Sequence, residues 1–136
     1  MIVIDASLLV GRLLGEPVAL TAVADATSAA PGEAMHAPEL IELEALQALR
    51  RLVRVGAVAE HEARVALEDL EDTRLERHGH RALRERVWQL RHRLTAYDAS
   101  YVTVAERLGA EMLLTRDQGM AAVARELLGP GRVLHV

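Results

Sequence analysis

The first seven residues, MIVIDAS (Met1–Ser7), decide the fold. Ile2, Val3 and Ile4 form a short, continuous apolar run, the pattern of a strand covered on both faces, and such strands belong to parallel sheets. The run ends on Asp5, and Ser7-Leu8-Leu9-Val10 already reads as a helix. A strand passing almost directly into a helix, with an acid at the junction, is the opening unit of an α/β sandwich.

The same unit recurs towards the other end of the chain. Met112–Leu114 is a second apolar run, leading through Thr115-Arg116 to Asp117 and a helix from Gln118, and Val133–Val136 is a third run. Between them lie helical patterns over Pro17–Thr27, Pro38–Val55, Ala59–Leu70, Ala82–Leu94, Asp98–Leu108 and Gln118–Leu127. Pro38 suits the first position of a helix, while Gly56 and Gly109 suit helix ends. The loops of any length are Thr27–Met35 and His78–His80. In Ala82–Leu94, the helical spacing of Leu83, Val87, Leu90 and Leu94 reads as a core stripe, and Trp88 beside it reads as core rather than as a partner-binding anchor.

With 136 residues and no repeat or low-complexity tract, the expectation is one domain spanning 1–136. Hydrophobic residues make up 51% of the sequence, yet Trp88, Tyr97 and Tyr101 are the only aromatics, so the core must be built from Leu, Val and Ala. The absence of cysteine removes disulfides, thiolate metal sites and cysteine nucleophiles, and suits a reducing, cytoplasmic setting. No apolar run approaches a membrane span and no basic stretch precedes an apolar leader, so neither secretion nor a membrane is expected. All 16 basic residues are arginine, and the net charge of −4 argues against a protein that coats nucleic acid by bulk attraction. It does not argue against a nuclease whose acids hold cations.

Asp5, Asp98 and Asp117 all fall where helices begin. In a parallel sheet every strand-to-helix junction emerges at the carboxyl edge, so Asp5 and Asp117 should be neighbours. Each is also a natural cap: Asp5 or Ser7 and Asp117 suit N-cap positions, and Thr95 with Asp98 is spaced as a capping box. Caps need no common location, whereas carboxylates crowded at one edge repel and need a proton or a cation. The helix from Pro38 adds a further acid without deciding which. Glu44 shares a polar face with Gln47, Arg51 and Arg54, and Glu42 falls among Leu46, Leu49 and Val53. Oxygen-only ligation selects Mg²⁺ or Mn²⁺, whose natural use is phosphodiester hydrolysis. Zinc is disfavoured, and His78-Gly79-His80, a tempting pair without further ligands, is not read as a metal site.

With these acids placed, the sequence resembles the PIN-domain ribonucleases, in particular the toxin subunits of VapBC-type modules. The blocks that carry the resemblance are MIVIDAS, HAPELIELEALQALRR and LTAYDASYVTVAERLGAEMLLTRD, which span the chain. It implies a three-layer α/β/α domain with a parallel sheet of four or five strands, Mg²⁺- or Mn²⁺-dependent endoribonuclease activity, a homodimer and a cognate antitoxin whose C-terminal segment covers the active-site groove. It further implies Asp5 and Asp98 as chief metal ligands, Glu44 and Asp117 completing the quartet, and Ser7 and Thr115 as supporting hydroxyls. Six residues beyond Pro38, the family pattern selects Glu44 over Glu42. Arg116 departs from the small or neutral residue common there, and is expected to serve at the surface.

Other folds that gather acids at a sheet edge fit less well. A phospho-acceptor receiver needs a lysine, which the chain lacks, and a haloacid-dehalogenase-type phosphatase needs an aspartate where Ser7 stands. The remaining alternative is a PIN-like module that binds RNA or protein without cutting. Arg50, Arg51 and Arg54 would offer an approaching RNA a basic rim, or else pair with nearby glutamates. With so few aromatics, base stacking is not the main grip.

Overall fold

The computed structural model describes residues 1–136. Five strands, β1 (Ile2–Ile4), β2 (Met35–Pro38), β3 (Leu75–His78), β4 (Met112–Thr115) and β5 (Val133–His135), form one parallel sheet in the order β3-β2-β1-β4-β5. Seven α-helices accompany them: α1 (Ala6–Leu13), α2 (Pro17–Thr27), α3 (Ile41–Arg54), α4 (Glu60–Asp72), α5 (Arg84–Gln89), α6 (Ala96–Leu108) and α7 (Gln118–Leu128). Helices α1 to α4 pack on one another, as do α5 to α7, and the two groups sandwich the sheet in three α/β/α layers. No helix is long and apolar enough to cross a membrane.

The apolar runs read from the sequence are the middle of this architecture. Ile4 pairs with Leu114 and Leu113 with Val133, and Val3, Ile4, Leu113 and Leu114 have no exposed surface. From β1 the chain winds outward through β2 and β3, then crosses to the other side for β4 and β5. That reversal opens a crevice between the carboxyl ends of β1 and β4, where open α/β sheets place their ligands.

Two strands correct the sequence reading. Met35–Pro38 is β2 rather than the end of a loop and the start of a helix, and α3 begins only at Ile41. Pro38 is tolerated because it ends the strand, beyond the pairs that Met35 and His36 make with β1, where a missing N–H costs no ladder bond. Strand β3, Leu-Glu-Arg-His, escapes an apolar-run search because it lies at the sheet edge with Glu76 and Arg77 exposed.

The span Ala82–Leu94 is also not one helix: a 3₁₀ turn at His80–Leu83 leads into the short α5 and then into turns. Its stripe survives, since Leu83, Leu90 and Leu94 are buried, but Trp88 is 64% exposed, with the Arg91 guanidinium 4.5 Å from its ring. One position past Val87, its side chain points off the packed stripe. The core reading of Trp88 is therefore wrong.

Candidate active site

Asp5 is held from every side. It is the N-cap of α1, and its Oδ1 accepts bonds from the Leu8 N–H and the Ser7 hydroxyl, both at 2.9 Å. Oδ2 accepts from the Thr115 hydroxyl at 2.5 Å and, more weakly, from the Arg116 N–H at 3.3 Å. The register dictates this meeting: Ile4 lies opposite Leu114, so the next residues, Asp5 and Thr115, leave adjacent strands side by side. Asp5 is only 4% exposed and has no basic partner.

Asp117 is joined to the same point through Thr115, whose hydroxyl oxygen accepts from the Asp117 N–H at 2.9 Å while its proton goes to Asp5. Asp117 caps α7, its Oδ1 accepting from the Met120 N–H, and is exposed. Capping and clustering thus coexist in Asp5 and Asp117. The N-termini of α1 and α7 aim their free N–H groups at the crevice, a favourable field for carboxylates.

Glu44 and Asp98 reach the crevice from α3 and α6. Asp98 lies in the first turn of α6, where Thr95 is the cap and accepts from the Asp98 N–H at 3.1 Å; the helix starts at Ala96, two residues earlier than the sequence reading. Three residues on, and so on the same helical face, Tyr101 donates its hydroxyl to Glu44 Oε2. Burial holds the Glu44 carboxyl above the usual carboxylate range, and the charges of Asp98 and Asp5 add to the effect against the Tyr101 bond. Burial likewise raises Asp98, with Asp117 and Asp5 adding to it and Thr95 opposing. Tyr101 is pushed far above an ordinary phenol, chiefly by burial and then by its bond to Glu44. Glu44 thus senses the charges of Asp98 and Asp5, and Asp98 those of Asp117 and Asp5, and none of the four acids is in an ion pair.

Tyr101 is the residue that sequence reasoning missed; its signal was the i, i+3 spacing from Asp98. The choice between Glu42 and Glu44 has a geometric basis. Ile41, Ala45 and Leu49 form the buried stripe of α3, and the two acids flank it on opposite shoulders. Glu44 turns to Tyr101, and Glu42 to an ion pair with Arg77 of β3. Arg116 is not a free surface group: it pairs with Glu16 over Gly11, where a Cβ would stand 2.8 Å from the Glu16 carboxylate. Arg50, Arg51 and Arg54 are exposed and make no ion pair, so the expected alternative of pairing with glutamates is not realised.

This arrangement suits a hard, hydrated cation. Mg²⁺ keeps several waters and takes one or two carboxylates directly. No three of these four acids bring ligand atoms within 4.8 Å of one another, so the crevice is not a closed cage. Four acids with no arginine or lysine among them leave a charge deficit for a cation to fill.

Comparison with known proteins points to one family. The PIN domain family matches residues 2–126. The chain is similar to the VapC ribonuclease Mb0985 of Mycobacterium bovis, 34% identical over 113 residues, which is 83% of this chain and 84% of that protein. It is also similar to the ribonuclease VapC12 of Mycobacterium tuberculosis, 32% identical over 113 residues and the same shares of each. Among solved structures, that of PAE2754 from Pyrobaculum aerophilum matches with a TM-score of 0.65 and 28% identity, covering 97% of this chain and 81% of that one.

Proposed function

The chain belongs to the PIN-domain family, among its VapC-type ribonucleases, and from that premise we propose that it is a metal-dependent endoribonuclease, the toxin of a type II toxin–antitoxin pair. The observation that carries this reading is the convergence at one sheet edge of four acids without basic partners, two of them, Asp5 and Asp117, tied together by Thr115.

Asp5, Glu44, Asp98 and Asp117 would hold Mg²⁺ or Mn²⁺, which when bound supplies Lewis-acid stabilisation of the developing phosphoryl charge and activates water for in-line attack. The chain's own residues prepare that site. Ser7, Thr115 and the Leu8 and Arg116 N–H groups fix both Asp5 oxygens, so ligand geometry costs no reordering when substrate arrives. Tyr101 fixes Glu44 in the same way. The unpaired Arg50, Arg51 and Arg54 beyond Glu44 on α3 supply phosphate contacts for an RNA strand approaching an otherwise acidic surface.

An apolar groove supports the partner reading. Leu13, Leu14, Leu52, Val58 and Val65 line a groove between α1, α3 and α4, a seat for an apolar segment of a VapB-type antitoxin. A homodimer, a cytoplasmic location and a single folded unit over 1–136 complete the proposal.

The test is direct. RNA incubated with the protein should be cut in Mg²⁺ or Mn²⁺ and spared in EDTA, and Asp5→Asn should remove the cut. RNA bound but left whole by the wild-type protein in either metal would assign a binding module instead.

A further inference from the structure

Away from the acidic crevice, strands β2 and β3 bring together two imidazoles and a carboxylate. His36 and Glu76 are register partners, and His78 lies two residues further along the same strand, so all three side chains leave one face of the sheet. His36 Nδ1 stands 3.1 Å from His78 Nε2 and 3.7 Å from Glu76 Oε2, and the three residues each offer a ligand atom within 4.8 Å of the other two. Two ligands on a tetrahedral zinc ion, with bonds of about 2.0–2.1 Å, are held about 3.3 Å apart. The observed separations bracket that value. We propose that His36, His78 and Glu76 form a transition-metal site, with Zn²⁺ the best fit, that clips the edge strand β3 to β2.

The donor set separates this site from the crevice. Imidazole nitrogens favour borderline ions such as Zn²⁺ over Mg²⁺, whereas the crevice offers oxygen alone. His36 is buried against the sheet, which fixes its ring where the two β3 side chains meet it. Glu76 is largely exposed and leaves the fourth position open to water. His80 is no part of the set: its Nε2 accepts the Leu40 N–H at 3.0 Å, so the two histidines of His78-Gly79-His80 serve different ends. Because β3 runs into that loop, and the loop touches the chain just before α3, the clip would steady the helix that carries Glu44. The site is independent of the nuclease reading.

Tag-free, EDTA-stripped protein titrated calorimetrically with Zn²⁺ tests it, with Co²⁺ as a spectroscopic substitute. The expected result is one equivalent of Zn²⁺, the intense visible absorption of four-coordinate Co²⁺, and a raised melting temperature, all retained in Asp5→Asn. His78→Ala and the exposed Glu76→Gln should each weaken Zn²⁺ binding by ~10-fold or more with an unchanged far-UV spectrum. Absence of Zn²⁺ uptake overturns the proposal. So does uptake lost in Asp5→Asn but untouched in Glu76→Gln.

Discussion

Thr115 Oγ1 donates a 2.5 Å hydrogen bond to Asp5 Oδ2 although 110 residues separate the two in the chain. The same oxygen accepts the Asp117 N–H, so one buried hydroxyl sets the relative position of two of the four acids. Thr115→Val keeps the shape and removes both bonds. Mn²⁺ affinity and RNA cleavage should each fall ~10- to 100-fold, the usual penalty for losing a group that orients a metal ligand. Thr115→Ser should restore most of both. Metal titration and initial cleavage rates for the two variants check the expectation, and a Thr115→Val protein with wild-type affinity would contradict it.

Glu42 and Glu44 differ by two positions and face opposite shoulders of α3. Glu44→Gln should abolish measurable cleavage, whereas Glu42→Gln, which loses only the partly exposed pair with Arg77, should cleave like wild type. The loss of that pair should lower stability by no more than about 1 kcal/mol. Parallel cleavage assays and denaturant midpoints read both effects.

The raised pKa of Glu44 makes a signed statement about the metal-free protein. Folding favours the protonated carboxyl, so the contribution of Glu44 to stability is fully present below its ordinary pKa and is lost as pH rises through the elevated value. Glu44→Gln does not titrate. In EDTA, the melting temperature of Glu44→Gln relative to wild type should therefore climb as pH rises above the ordinary carboxylate pKa and level off once the elevated one is passed. Saturating Mg²⁺ should shrink or reverse that gap, because a ligand of the folded state stabilises the protein that binds it best. Thermal melts of both proteins in EDTA and in Mg²⁺ decide it, and a gap constant with pH would count against the shift.

Thr103 offers the opposite case to Thr115. It is fully buried in α6, and its hydroxyl oxygen is the one buried side-chain polar atom with no hydrogen-bond partner. Thr103→Val removes that unsatisfied group at nearly constant volume. Stability should hold or rise by up to about 1 kcal/mol, with cleavage unchanged. Urea unfolding of the two proteins measures the difference.

These residues show what was legible in the sequence. Apolar runs flanked by turn signals located β1, β4 and β5, because buried parallel strands write their burial directly into composition. Strand β3 carries no such mark, since an edge strand keeps its charges in water, and β2 was disguised by a proline that equally suits a helix start. The acids at strand–helix junctions were legible because topology alone sends them to one edge. Tyr101 and the partner of Arg116 were not, because each depends on which shoulder of a helix meets which neighbour. The histidine site was hidden for the same reason: His36 and His78 are 42 residues apart and meet only through a strand that the sequence did not announce.

The long reach between Asp5 and Thr115 also has a consequence in time. During synthesis the first acid leaves the ribosome long before the hydroxyl that fixes it, and the helices bearing Glu44 and Asp98 emerge before the strand that closes the sheet. A partly made polypeptide thus lacks the geometry on which cutting depends. On the proposed ribonuclease reading, no cut can be made before the last quarter of the chain has docked.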